Sequence, residues 1–146
     1  MIGMTQTGAD STPRDTNGIR WGRIVAGAFL LEIALIVLFI PLLVVMDISR
    51  IAPFAGIATF GLGFWAGRWV ARKVPSRRVL HATMAGILAT VIYLGICMVG
   101  PGGLAEAVRI YGVPFFVIGN GLRIVGCSAG GYSIRSEQIG DRPRIR

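Results

Sequence analysis

Apolar residues in this chain gather into four long runs separated by short polar or glycine-rich breaks. The first covers about 24 to 46, the second about 53 to 70, the third about 79 to 99 and the fourth about 113 to 134. A helix needs about 20 such residues to cross the hydrocarbon layer of a bilayer, and it satisfies its own backbone hydrogen bonds there. The pattern predicts an all-α polytopic membrane protein, a four-helix bundle. The first run is too long for a signal-peptide core and no small-residue cleavage site follows it, so it is read as a retained helix. Pro41 falls near its outer end, where a kink disturbs few contacts.

The breaks differ in kind. Residues 47 to 52, from Asp47 to Ala52, read as a tight outer turn. Residues 72 to 78 read as a basic inner turn broken by Pro75, and residues 100 to 112 as an outer loop opened by Gly100, Pro101, Gly102 and Gly103. Residues 1 to 20 are rich in Thr, Gly, Asp and Ser without apolar periodicity, the mark of a flexible tail. Residues 136 to 146 form a basic tail, leaving 21 to 135 as a single transmembrane domain.

Composition agrees with this class. Of 146 residues, 53% are hydrophobic and 15% charged, against about 25% charged in soluble domains. The net charge of +8 would suit a nucleic-acid partner only if the basic residues shared one surface. They flank the apolar runs instead. Arg14, Arg20, Arg23, Arg68, Arg72, Lys73, Arg77, Arg78, Arg135, Arg142, Arg144 and Arg146 all fall on one side of a four-span arrangement, and only Arg50 and Arg109 on the other. The positive-inside rule then puts both termini in the cytoplasm of a cell whose inner (plasma) membrane holds the protein. Trp21, Trp69 and Tyr132 fall near the inner boundary and Tyr111 near the outer one, where interfacial aromatics belong. The bilayer is the expected partner, with a second copy or another membrane protein beside it, and no nucleic acid.

The two hairpins share an order of residues. Ala26-Gly27, Arg50-Ile51, Pro53-Phe54 and Gly63-x-x-Ala66-Gly67 are followed by Ala85-Gly86, Arg109-Ile110, Pro114-Phe115 and Gly126-x-x-Ala129-Gly130. Each hairpin begins and ends inside, so the expected bundle consists of two parallel helical-hairpin repeats. Recurrence by composition alone is the other explanation.

Candidate chemistry lies in the apolar runs. Glu32 stands nine residues past Arg23, ~14 Å into the membrane. An ionised carboxylate there must be paired, protonated or wetted. Arg123 lies twelve residues before Arg135, ~18 Å from the same boundary. It shares a helical face with Gly119, Gly126 and Gly130. Thr83, Gly86, Thr90, Tyr93 and Cys97 form a small or hydroxylated stripe on helix three, and Asn120 adds a polar group beside Arg123. Glu32, Arg123, Asn120, Thr90 and Tyr93 therefore make up the candidate buried polar site. It is either an ion pair that fixes helix register, a substrate, proton or ion site, or a set of side chains snorkelling from lipid. Gly63 with Gly67 and Gly126 with Gly130 form two Gly-x-x-x-Gly patterns suited to close packing, within the bundle or between subunits. Gly119-Asn120-Gly121 sits near the middle of helix four, where the chain either unwinds locally, as transporter helices do around substrates, or continues as one helix, the preferred reading.

Other residues carry less. His81, beside Arg77 and Arg78, reads as a solvated or headgroup contact. Cys97 and Cys127 fall at opposite ends of their helices, too far apart for a disulfide. No Ser/His/Asp set, phosphate-binding loop or metal-ligand spacing occurs, so no enzyme, metal or cofactor is expected.

The stretch Gly27-Ala28-Phe29-Leu30-Leu31-Glu32-Ile33 resembles the first helix of small multidrug resistance transporters, four-helix dimeric proton-coupled exporters with a membrane glutamate in that helix. The resemblance implies a proton- and cation-binding role for Glu32 alone. The chain as a whole resembles four-helix bacterial inner-membrane proteins built from repeated Gly-rich hairpins, a likeness that carries no activity with it. The expected role is a non-enzymatic accessory or assembly protein. The alternative is a small oligomeric transporter using Glu32 as an ionisable site.

Overall fold

The computed structural model describes residues 18–140, so Arg14, Arg142, Arg144, Arg146 and nearly all of the N-terminal tail lie outside it. The described residues form five helices: α1 (Trp21–Val45), α2 (Ile48–Arg72), α3 (Arg78–Val99), α4 (Gly103–Tyr111) and α5 (Val113–Gly140). They contain no strand. α1, α3 and the Val113–Ile134 part of α5 are long and apolar enough to cross a membrane.

α2 matches α1 in length, 25 residues, yet it is not among the three apolar helices. It carries Arg50, Arg68 and Arg72 and a series of glycines where α1 carries Leu, Ile and Val. Of the four spans expected from the sequence, three are long and apolar enough to cross a membrane and α2 is not among them. The physical reason is position: α2 makes its most extensive contact with α5 and also packs on α1 and α3, so protein covers more of it. Ala66, Val70 and Ala71 are buried at 0–1% exposure.

Three boundaries also differ from expectation. The turn expected over 47 to 52 is confined to Met46 and Asp47, since α2 begins at Ile48. The loop expected over 100 to 112 contains α4, nine residues long. Gly102 at φ 79° and Gly112 at φ 75° bracket it, left-handed backbone that glycine adopts without a Cβ clash. Glu106 in its first turn and Arg109 in its last complement the helix dipole. Arg109 Nε and Nη2 donate to Glu106 Oε2 and Oε1 at 2.8 and 2.6 Å. Finally, α5 runs to Gly140, so the first part of the expected C-terminal tail is helical.

Close packing holds α2 on α5. A Cβ at Gly126 would stand 2.6 Å from the Phe60 carbonyl oxygen, and one at Gly63 would stand 3.2 Å from the Arg123 carbonyl oxygen. Added Cβ atoms at Gly67 and Gly130 would overlap the backbones of Cys127 and Phe64. α3 closes on α5 at Gly86, where a Cβ would lie 2.9 Å from the Ile124 Cα. Thr83 and Ser128 hydroxyls join the same pair of helices at 2.8 Å. Ala28, Leu31, Leu35, Ala66, Ala89 and Cys127 form the main core, with Ile24, Val70 and Ala85 nearer the end that carries Arg23 and Arg78. The outside is apolar as well: Val37, Val44, Val45 and Val99 are 67–90% exposed. Apolar surface on this scale marks a lipid-facing protein.

His81 corrects an expectation. It is buried, 1% exposed, and its Nε2 accepts the backbone N–H of Arg20 at 3.0 Å. Its Nδ1 lies 2.9 Å from the Arg77 carbonyl oxygen. Accepting at Nε2 leaves the ring proton on Nδ1, where it donates to that oxygen. The ring thus joins the start of α1 to the α2–α3 turn.

Candidate functional site

Two helices far apart in sequence bring the buried charges together. Glu32 projects from the middle of α1 and Arg123 from α5, and Arg123 Nε donates to Glu32 Oε1 at 3.0 Å. Glu32 is 3% exposed and Arg123 8%. Leu31 and Leu35 beside Glu32 are buried in the core, so the α1 face that carries the carboxylate is turned inward. On α5 the guanidinium emerges between Gly119 and Gly126, and the missing side chain at Gly126 lets α2 approach.

The rest of the cluster is built around the guanidinium. Arg123 Nη1 donates to Asn120 Oδ1 at 2.9 Å, and Asn120 Nδ2 donates one turn back to the Phe116 carbonyl at 2.8 Å. Arg123 Cζ stands 4.0 Å from the centre of the Tyr93 ring, a cation–π contact. Tyr93 in turn lies 6.0 Å from Phe116, ring centre to ring centre. Glu32, Arg123, Asn120 and Tyr93 therefore form one constellation. Thr90 does not join it: its hydroxyl donates to the Gly86 carbonyl at 3.1 Å and it does not line the cavity described next.

The pair forms the floor of a cavity of about 340 Å³. Its walls come from Leu35, Phe39 and Leu43 of α1, Ile51 and Gly56 of α2, Tyr111 of α4 and Phe115, Phe116 and Gly119 of α5. These residues occupy the half of the bundle away from the basic α2–α3 turn. The volume falls in the ~300–1,000 Å³ range of small-molecule sites, and apolar walls with a few converging polar groups are their usual composition. At the cavity's α4 rim, partial burial pushes the Tyr111 phenol above its ordinary value.

Hydrogen-bonding capacity is left over at the floor. Glu32 Oε2, Arg123 Nη2 and the Thr59 hydroxyl make no hydrogen bond to described residues. None of them is sealed off, because no enclosed side-chain nitrogen or oxygen among the described residues lacks a partner. Their residues line the cavity. Thr59 is 6% exposed and was not singled out from the sequence. The available signal was its place four residues before Gly63, on the close-packing face of α2.

Gly63, Gly67, Gly126 and Gly130 lie below the cavity at the α2–α5 contact. Gly119 differs: a Cβ there would meet nothing within 4 Å, and the position opens onto the cavity. No group of three or more His, Cys, Asp or Glu suited to a metal occurs among the described residues. No protein-family model matches the chain, and no match is found among curated proteins or solved structures.

Proposed function

We propose that the protein is a non-enzymatic accessory or assembly component of the inner (plasma) membrane, with four spans and both termini in the cytoplasm. In this reading α2 crosses beside α1, α3 and α5, and the two hairpins are parallel repeats, with α4 added at the outer end of the second. The length of α2, 25 residues, corresponds to ~38 Å at 1.5 Å per residue. Its contacts with three other helices reduce the apolar surface it must offer to lipid. The distribution of basic residues supports the orientation.

The observation that carries this reading is the 3.0 Å contact between Arg123 Nε and Glu32 Oε1. Each charge compensates the other inside the bundle, and the pair specifies the depth at which α1 meets α5. Such a device defines register, which an assembly component needs and which a proton carrier would have to break on every cycle. One observation favours the second reading, a small oligomeric transporter: Glu32 also lines the cavity.

Crosslinking in native membranes, combined with proton-flux measurements on reconstituted vesicles, separates the two. The accessory role predicts one membrane-protein partner captured at fixed stoichiometry and no proton flux that depends on Glu32. Flux abolished by Glu32→Gln, with no partner captured, would replace it with the transporter. Reporter fusions at the N-terminus, near Pro75, near Gly102 and at Arg146 should read in, in, out, in. A C-terminus on the outer side would contradict the four-span arrangement.

A further inference from the structure

The residues at the floor of the cavity limit what it can hold. Glu32 and Arg123 together carry no net charge, and each is nine-tenths buried or more. A cation drawn to Glu32 Oε2 also meets the Arg123 guanidinium, which is 3.0 Å from the other carboxylate oxygen. An anion drawn to Arg123 Nη2 meets the Glu32 carboxylate in the same way. Either ion can be accommodated fully only by separating the pair and leaving one charge buried without compensation, an expensive state in a low-dielectric interior. A neutral group that both donates and accepts hydrogen bonds has no such conflict. It can donate to Oε2 and accept from Nη2, with the Thr59 hydroxyl as a further partner.

The walls select the rest of the ligand. Phe39, Phe116 and Leu43 offer apolar contact along the cavity from the floor toward the end that carries Tyr111, and the surrounding helices are coated in apolar side chains. We propose that this cavity is a binding site for a neutral, membrane-resident lipophile whose single head group both donates and accepts hydrogen bonds, the chemistry of a long-chain primary carboxamide. The head contacts Glu32 Oε2 and Arg123 Nη2, and the chain lies along Phe39 and Phe116. The ion pair stays intact throughout, so it serves at once as structure and as recognition surface. The proposal rests on the membrane-embedded bundle and adds a ligand class to it.

Gly119→Leu provides a test that does not depend on disrupting the fold. A Cβ at Gly119 would meet no atom within 4 Å, and a leucine there projects into the space the ligand would occupy. The probe is a long-chain primary carboxamide carrying a diazirine on its chain, added to the full-length protein in lipid nanodiscs, with crosslinked residues mapped by mass spectrometry. Labelling should concentrate on residues 35–43 and 115–119 and be competed by unlabelled amide. The matching alkylammonium and the methyl ester, which lacks the donor, should compete at least about tenfold less well, a difference of about 1.4 kcal/mol. Gly119→Leu should abolish the labelling while leaving thermal melting in detergent unchanged or raised. Equal competition by the ammonium or the ester, labelling that persists in Gly119→Leu, or labelling spread over lipid-facing Phe29 and Val44 would overturn the proposal. Topology reporters test the bundle independently, so loss of the ligand site with reporters still reading in, in, out, in refutes this inference alone.

Discussion

The backbone N–H of Arg20 donates to His81 Nε2 at 3.0 Å, joining the residue before α1 to the first turns of α3. Because the opposite ring nitrogen reaches the Arg77 carbonyl at 2.9 Å, one neutral imidazole holds three segments at the basic end of the bundle. His81→Phe fills much the same volume and removes both partners. It should lower stability by about 0.5–1.5 kcal/mol, the net worth of a lost hydrogen bond, because the Arg77 carbonyl keeps the backbone N–H of residue 81. Denaturant titration in detergent micelles measures this, and an unchanged midpoint would show that water replaces the ring.

The α2–α5 contact depends on missing side chains, and glycine substitutions should separate into two classes. Gly126→Leu and Gly130→Leu force atoms into the backbones of Phe60 and Phe64 and should cost about 1–3 kcal/mol or more, as overpacking does. Gly61→Leu meets open space and should change stability little. Thermal melting of the three variants checks this. Equal melting of all three would mean that the helices separate without penalty.

Helix α4 should respond to pH on its own. The hydrogen bond from Arg109 holds the Glu106 carboxyl below the usual carboxylate range. A carboxyl depressed in the folded state stabilises it above the ordinary glutamate pKa, ~4.3, and loses that contribution as pH falls through the depressed value. Both groups are exposed to solvent, so the effect is confined to local opening and weakens with salt. Amide-exchange protection over residues 103–111, corrected for intrinsic rates, should fall on acidification while that of α3 holds. Glu106→Gln should show reduced protection already at neutral pH. Identical protection in the parent and Glu106→Gln at neutral pH would remove the pair from any role in α4.

What was legible in the sequence was whatever depends on long runs or on depth. Apolar length located α1, α3 and α5, the rise per residue put Glu32 and Arg123 at comparable depth, and the spacing of Arg123 from Gly119, Gly126 and Gly130 put it on the close-packing face; the inward face of Glu32 was not legible. α4 was obscured because Gly100, Pro101, Gly102 and Gly103 signal a loop, although the Ala-rich stretch that follows carries Glu106 early and Arg109 late. The role of His81 had no side-chain signal at all, since its partners are the backbone groups of Arg20 and Arg77. The cavity was equally hidden. It exists where side chains are missing, at Gly56 and Gly119, and only the relative placement of α1, α2 and α5 reveals that space.

If Glu32 and Arg123 act as one unit that sets the register of α1 against α5, as proposed, a double-mutant cycle in detergent or nanodiscs must show them coupled. Each single change, Glu32→Gln or Arg123→Gln, leaves a buried charge uncompensated, which typically costs ~3–5 kcal/mol. The double change removes both charges, and its loss of stability should fall well short of the sum of the two single losses, with a coupling above ~1 kcal/mol. Single losses that add within about 0.5 kcal/mol would show that the 3.0 Å contact carries no coupling and that the pair does not set the register of α1 against α5.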